Sequence, residues 1–485
     1  MADKLLRSAS VLVFTVLAGC DDSTPVDRSR PLPEVSNVGG PRMAHPQLVP
    51  VLFGDDPDAA ALASYSRWIV GSTWLLEAGA DYGVGAGAVL GVVQRTDPAP
   101  SAITDAAIVD LVFHGLADGS LPQPPGGLGD ALYMIHLPAH TVVTAAAARS
   151  CVDFAGYHGS ARRDGVELAY AVVPTCPNLH GGLTELEIRE LTTSHELIGA
   201  ATDPFPSNHP GFQLRDPTSP WLALGDEVAD LCTHGDATDV WREAGFVAQR
   251  SWSSSAAVVG DPCVPALSDM PYYNVMTTGA SVPRVAPGGH VAIGIAGWAH
   301  APTREWPIQV QGAKPGAATF TLAATELGPG KTTTVDVAIP ASTAAGSIVR
   351  FFILSSYSSG VYQLLPMRAI ADAPCASFTD CGACTAHAGC GFCATSGRCE
   401  TQTTAGSLES RCAASAFATW PASCAGACAG HSGSCADCAS HDGCGWCASA
   451  ATPCLEASRD FAAPASASCA YADWSFTTNY CPRPR

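Results

Sequence analysis

The segment Thr193-Ser194-His195-Glu196-Leu197-Ile198-Gly199-Ala200-Ala201-Thr202-Asp203-Pro204 holds the residues best suited to chemistry. A His-Glu pair on a helix begins a metallopeptidase pattern, in which the histidine binds zinc and the glutamate takes a proton from metal-bound water. The pattern needs a second histidine four residues on, where one helical turn returns it to the same face. Here that position is Gly199, which offers no ligand. A metal site therefore has to recruit groups from outside the helix. Asp203 closes the segment, Glu227 lies in the acidic run Gly225-Asp226-Glu227, and His158 sits in a glycine-flanked loop, Gly156-Tyr157-His158-Gly159. The expected arrangement is zinc on His195, Asp203 and Glu227, with Glu196 as general base and His158 beside it as a second catalytic group. Eight residues of ideal helix set Asp203 about 12 Å from His195, so sharing one ion requires a turn, which Pro204 favours. Plainer alternatives stand beside each assignment. His195 can be a buried helix histidine bonded to a carboxylate, and Asp203 an Asx cap. Glu227 and Asp230 can bind calcium or only flank Cys232.

The elements that must position these groups follow from patterning. Residues 184–202 read as one long helix stopped by Pro204. Leu48-Val49-Pro50-Val51-Leu52-Phe53, residues 131–137 and residues 168–173 read as strands, and 58–76 and 103–116 as helices, the second started by Thr104-Asp105. That order suits an α+β domain, residues 46–268, with the motif helix packed on a small sheet. No Gly-x-Ser-x-Gly elbow or phosphate-binding loop is present. Residues 269–373 change to short alternating runs, such as Val291-Ala292-Ile293-Gly294-Ile295 and Thr333-Thr334-Val335-Asp336-Val337, separated by Gly/Pro turns. The spacing predicts an all-β sandwich of immunoglobulin-like size. No cysteine pair spans it, so it is not antibody-like.

The chain of 485 residues predicts roughly three domains. Hydrophobic residues at 47% and charged residues at 14% support folded units, and a net charge of -19 argues against a nucleic-acid partner. At the N-terminus Lys4 and Arg7 precede the apolar run Val11-Leu12-Val13-Phe14-Thr15-Val16-Leu17, too short for a stable span. Leu17-Ala18-Gly19-Cys20 resembles a bacterial lipobox. Residues 1–20 are thus expected to be a lipoprotein signal peptide with Cys20 lipidated, and 21–45 a flexible tether; an ordinary secretory signal is the alternative. The implied location is the bacterial cell envelope, periplasmic or surface-exposed, with the membrane reached through the lipid anchor.

Of 21 cysteines, 20 remain after Cys20, an even number suited to disulfides in an oxidising compartment. Proximity pairs Cys151 with Cys176 and Cys232 with Cys263, one of three connectivities open to four cysteines. Sixteen cysteines crowd into 375–481 as two sets of eight with nearly equal spacing, residues 374–426 and 427–485. Each set contains Cys-x-x-Cys and then Gly389-Cys390-Gly391-Phe392-Cys393 or Gly443-Cys444-Gly445-Trp446-Cys447. These repeats resemble the plexin–semaphorin–integrin (PSI) cysteine-rich module; zinc ribbons are the alternative.

The first domain resembles bacterial relatives of the phosphate-induced, exordium-like secreted proteins. The likeness rests on Gly156-Tyr157-His158-Gly159, Ser194-His195-Glu196-Leu197 with Thr202-Asp203-Pro204, Gly225-Asp226-Glu227-Val228-Ala229-Asp230-Leu231-Cys232, and Asp261-Pro262-Cys263. It implies a zincin-like fold. That family carries a Glu where this chain has Gly199, and the departure bears directly on the metal site. Two functions follow. One is a lipid-anchored, zinc-dependent hydrolase of extracellular peptides with accessory modules. The other is a non-catalytic surface protein for adhesion or cell-wall contact on a degenerate zincin-like fold, its cysteine modules acting as rigid spacers.

Overall fold

The computed structural model describes residues 32–481 except 147, 217–218, 236, 268–271, 280–281, 302, 359–360, 388, 404–405, 408–411, 413–416, 420–423, 425–427, 442, 458–463 and 466. The signal segment, Cys20 and the tether up to residue 31 lie outside the described residues. Residues 32–45 are not tether: Leu32, Val35 and Met43 are buried in the core, and Ser36–Asn37 pairs with Phe212–Gln213. No helix among the described residues is long and apolar enough to cross a membrane.

The first domain is built on strands β1 (Gln47–Leu52), β2 (Ala131–Leu137), β3 (Tyr157–Arg163) and β4 (Val166–Pro174). β1, β2 and β4 run parallel, and β3 closes one edge antiparallel to β4. On one face Leu48, Met134 and Ala171 share a core with helices α1 (Ala59–Ile69), α2 (Thr73–Gly79) and α4 (Glu185–Thr202). On the other, Val49, Tyr133 and Val172 pack with Ile108 and Val112 of α3 (Asp105–Asp118). Helices on both faces make this a mixed α/β unit rather than a helix lying on a small α+β sheet. β2 is buried at every position, the physical mark of a strand covered on both sides; its one charged-type residue, His136, is fully enclosed. The helix expected over 58–76 is two helices, because Gly71 and Ser72 intervene and the Ser72 hydroxyl caps α2 by accepting from the Leu75 N–H.

α4 is defined at both ends. Thr184 and Glu187 form a capping box: each side chain accepts the other's backbone N–H. Near its start the buried Arg189 guanidinium donates to both carboxylate oxygens of Asp56, at 2.9 and 2.5 Å, which fixes the helix against the loop after β1.

Two four-stranded antiparallel sheets follow. One joins Tyr273–Thr277, His290–Ala299, Thr332–Ala338 and Thr319–Leu322; the other joins Glu326–Leu327, Trp306–Gly312, Ser347–Ser358 and Val361–Ala371. Ile295, Val335 and Val337 of the first share a core with Ile308, Phe351 and Ile353 of the second. In the C-terminal region both cysteine sets bridge in the same order, first to fourth, second to eighth, third to sixth and fifth to seventh. The Cys-x-x-Cys sulfurs are therefore consumed in disulfides.

The repeats do not project outward as spacers. The first touches the sandwich, where His387 bonds Asp372. The second folds back onto the α/β domain: Arg162 of β3 donates to the carbonyls of Tyr471 and Trp474, the Tyr480 hydroxyl donates to Ser160, and Tyr471 donates to Glu167. Such contacts follow from the aromatic residues on the repeat's last turns, which a β-edge carrying Arg162 accommodates by cation–π approach.

Candidate functional site

The face of α4 opposite its core contacts gathers the expected residues, but in two groups. His158 is not in a loop. It lies on edge strand β3, in register with Ala171 of β4, and its ring passes over α4 at Gly199. A Cβ at Gly199 would stand 3.1 Å from His158 Cε1 and Nδ1 and 3.0 Å from Glu227 Oε2. The missing side chain is thus the space that His158 and Glu227 occupy. Gly156, just before β3, makes room in the same way: a Cβ there would meet Glu196 Oε1 at 2.7 Å and Thr192 Cγ2 at 2.6 Å.

His158 Nε2–H donates to the Asp203 carbonyl at 3.0 Å, which leaves Nδ1 facing Glu196 Oε2 at 3.6 Å and Glu227 Oε2 at 3.5 Å. The His158 and Glu196 side chains are only 2% and 4% exposed. Burial alone would lower the His158 pKa; Glu227 and Glu196 together outweigh it and push it up to about 10. Burial pushes Glu227 up to about 8 against the pull of His158, with Asp230, Asp203 and Glu196 adding to the rise. The facing carboxylates raise His158 against burial, whereas burial itself raises Glu227 against His158.

His195 forms the second group. Its Nδ1 lies 3.0 Å from Gln249 Oε1, and Nε2 lies 3.5 Å from Asp230 Oδ1. The amide of Gln249 is oriented by its NH2, which donates to the Ala229 carbonyl and the Thr233 hydroxyl, so Oε1 accepts the proton of His195 Nδ1. Burial lowers the His195 pKa, but Asp230, Glu196 and Gln249 reverse this and raise it to about 10. The Glu227 N–H points to Asp230 Oδ2 at 3.4 Å and links the two groups.

Asp203 does not join either group through its carboxylate. It caps α4, its N–H donating to the Gly199 carbonyl. Its carboxylate oxygens accept from the Gly211 N–H at 2.8 Å and the Gln213 amide at 2.5 Å. The place expected for a metal ligand is thus a buried carboxylate at the helix end, tied to residues eight and ten positions on rather than by a local Asx bond. Gln249 is the residue that sequence reasoning missed; the signal was a glutamine within the otherwise apolar run Phe246-Val247-Ala248. The bridges Cys151–Cys176 and Cys232–Cys263 brace the loops before β3 and after Asp230.

Zinc bonds of about 2.0–2.2 Å place the donors of one ion roughly 3.4 Å apart. No three of His158, His195, Glu196, Asp203, Glu227 and Asp230 bring one ligand atom each within 4.8 Å of one another. With no three of these groups gathered around one point, this arrangement does not fit a three-ligand zinc centre.

No family model matches this chain, and no curated protein does. Solved structures that resemble parts of it are distant. Domains 4 and 5 of the S-layer protein SbsC align at 16% identity over 21% of this chain and 54% of that one, with a TM-score of 0.17. SbsC domains 1–6 align at 17% identity over 22% and 14%, also at 0.17. The CsuC–CsuE chaperone–tip adhesion subunit complex of Acinetobacter baumannii Csu pili aligns at 9% identity over 21% and 58%, at 0.15. The aligned segment spans about half the length of the first of these, and at such TM-scores the likenesses carry no argument about fold or function.

Proposed function

We propose that the chain is an envelope-anchored, extracytoplasmic surface protein whose first domain is a degenerate zincin-like unit. On this reading the histidines and carboxylates of α4 are interior structure, and the immunoglobulin-like sandwich and PSI-like repeats make contact with extracellular peptide or cell-wall material. The observation that carries it is the exchange at Gly199. Where a second helix ligand would stand, the imidazole of His158 is clamped between Glu196, Glu227 and the Asp203 carbonyl. A general base must reach water, and Glu196 is almost wholly enclosed. Ten disulfides fit an oxidising, extracytoplasmic location.

The peptide hydrolase is the second reading. It is favoured by the convergence of His195 Nε2, Asp230 and Glu227, each partly open to solvent, along one side of α4. Assays on the full chain separate the two. Zinc content that is the same in wild type and His195→Ala, with no peptide cleavage, is the expected result. Zinc lost with His195→Ala, or cleavage abolished by Glu196→Gln, would overturn the non-catalytic reading.

A further inference from the structure

The second cysteine-rich repeat carries a histidine–carboxylate group that the α4 reading does not use. His431, Asp437 and His441 bring one ligand atom each within 4.8 Å of one another. His431 Nδ1 lies 3.9 Å from Asp437 Oδ2, and His441 Nε2 lies 3.7 Å from Asp437 Oδ1. The side chains are between 35% and 50% exposed, so an ion can enter from water.

The first repeat supplies an internal control. Counted from equivalent cysteines, His431 corresponds to Phe378, Asp437 to Ala383, and His441 to His387. In the first repeat Phe378 stacks on His387 with ring centroids 3.7 Å apart and planes at 15°. In the second, His431 stacks on His441 at 3.5 Å and 27°. A ring pair at this place therefore belongs to the scaffold, and Phe-Ala-His is enough to build it. The repeat demands neither the second imidazole nor a carboxylate of its own: beside His387 the carboxylate is Asp372, from outside the repeat. Together they convert a packing contact into a set of two nitrogen donors and one oxygen donor around a shared point.

Disulfides hold the three positions. Cys428–Cys444 precedes His431, while Cys435–Cys481 and Cys438–Cys454 flank Asp437, so little order is lost when an ion binds. The two histidine–carboxylate separations exceed the roughly 3.4 Å between donors on one tetrahedral zinc by a few tenths of an ångström. Tilting the two rings out of their stack closes that gap.

We propose that His431, Asp437 and His441 form a site for a divalent first-row transition cation, zinc above all. Imidazole nitrogen with one carboxylate favours such ions over calcium, which takes oxygen ligands. Water completes the shell on the exposed side.

The test uses the full, disulfide-bonded chain equilibrated with zinc chloride at pH 7.5 and analysed for bound metal. The double variant His431→Phe, Asp437→Ala installs the first repeat's residues, a set already folded within this molecule. It should bind one equivalent fewer than wild type, whereas His195→Ala should lose none. Calcium chloride in place of zinc should give no binding that depends on Asp437. Unchanged zinc content in the double variant, or no zinc on the wild type, overturns the site. If the double variant loses its near-ultraviolet circular dichroism, His441→Gln is read by the same criterion. A zinc lost only with His195→Ala overturns both this site and the non-catalytic reading of α4, while a loss in both variants overturns the second alone.

Discussion

The α4 group and the second-repeat group are made from the same kinds of side chain, yet their surroundings differ. His158 is 2% exposed and meets acceptors at both ring nitrogens, whereas His441 is 44% exposed with a carboxylate on one side. In the α4 group, polar atoms cut off from water are satisfied by the protein, so the ring nitrogens of His158 and His195 already face acceptors. At the surface, water satisfies them, and an ion can replace that water at small cost. Burial therefore turns a potential ligand set into a structural ion pair, and a zincin-like pattern in sequence does not distinguish the two.

The comparison breaks first if removing the buried imidazole is harmless. His158→Ala leaves Glu196 and Glu227 enclosed without their cation and should cost about 3–5 kcal/mol, read from the urea midpoint. A loss under 1 kcal/mol would mean the group is not structural. Its electrostatic counterpart is a pH profile. His158 and His195 have folded pKa values near 10, above the ordinary 6.5, so their contribution is complete below pH 6.5 and disappears as pH rises toward 10. Glu227, raised to about 8, acts in the same direction between pH 4.5 and 8. The urea midpoint should therefore fall from pH 6.5 to 9.5, and this fall should be shallower in His158→Ala. A midpoint that rises over this range contradicts the network.

Smaller effects sharpen the contrast. Gln249→Ala removes the acceptor of His195 Nδ1–H and the donor to Ala229, an expected loss of about 1–3 kcal/mol by the same denaturation. Gly199→Ala sets a helix-propensity gain of about 1 kcal/mol against overpacking of about 1–3 kcal/mol. Because His158 is clamped and cannot retreat, the net should be a loss of about 1 kcal/mol, where an open groove would give a gain. His441→Ala, without metal, should shift stability by less than about 0.5 kcal/mol.

Much of the frame was readable because its signals are local. Thr184 with Glu187, then Pro204, bound α4 closely, and the mostly apolar run of β2, broken only by His136, marks a buried strand. What escaped depends on contacts distant in sequence. The strand Val361–Ala371 carries Pro366, which argues against a central strand but is tolerated at the sheet edge it occupies. Asp203 looked like a ligand because only the fold delivers the Gly211 N–H and the Gln213 amide to it. His158 looked like a loop residue because its glycines suggested a turn, while Gly159 in fact gives room to the Tyr170 ring beside it on β4. The emptiness at Gly199 could be read as a lost ligand; that another residue fills it could not.

The return of the second repeat to β3 has a consequence for the order of assembly. Arg162 and its partner Trp474 are 312 residues apart. β3 is the edge strand of the first sheet, and an uncovered edge invites pairing with another chain. As the chain emerges N-terminus first, that edge stays open until residues 312 positions downstream have been delivered and their eight-cysteine repeat has oxidised. Maturation of the first domain is thereby timed by the second cysteine-rich repeat, and an oxidation defect confined to that repeat would be felt as self-association through β3.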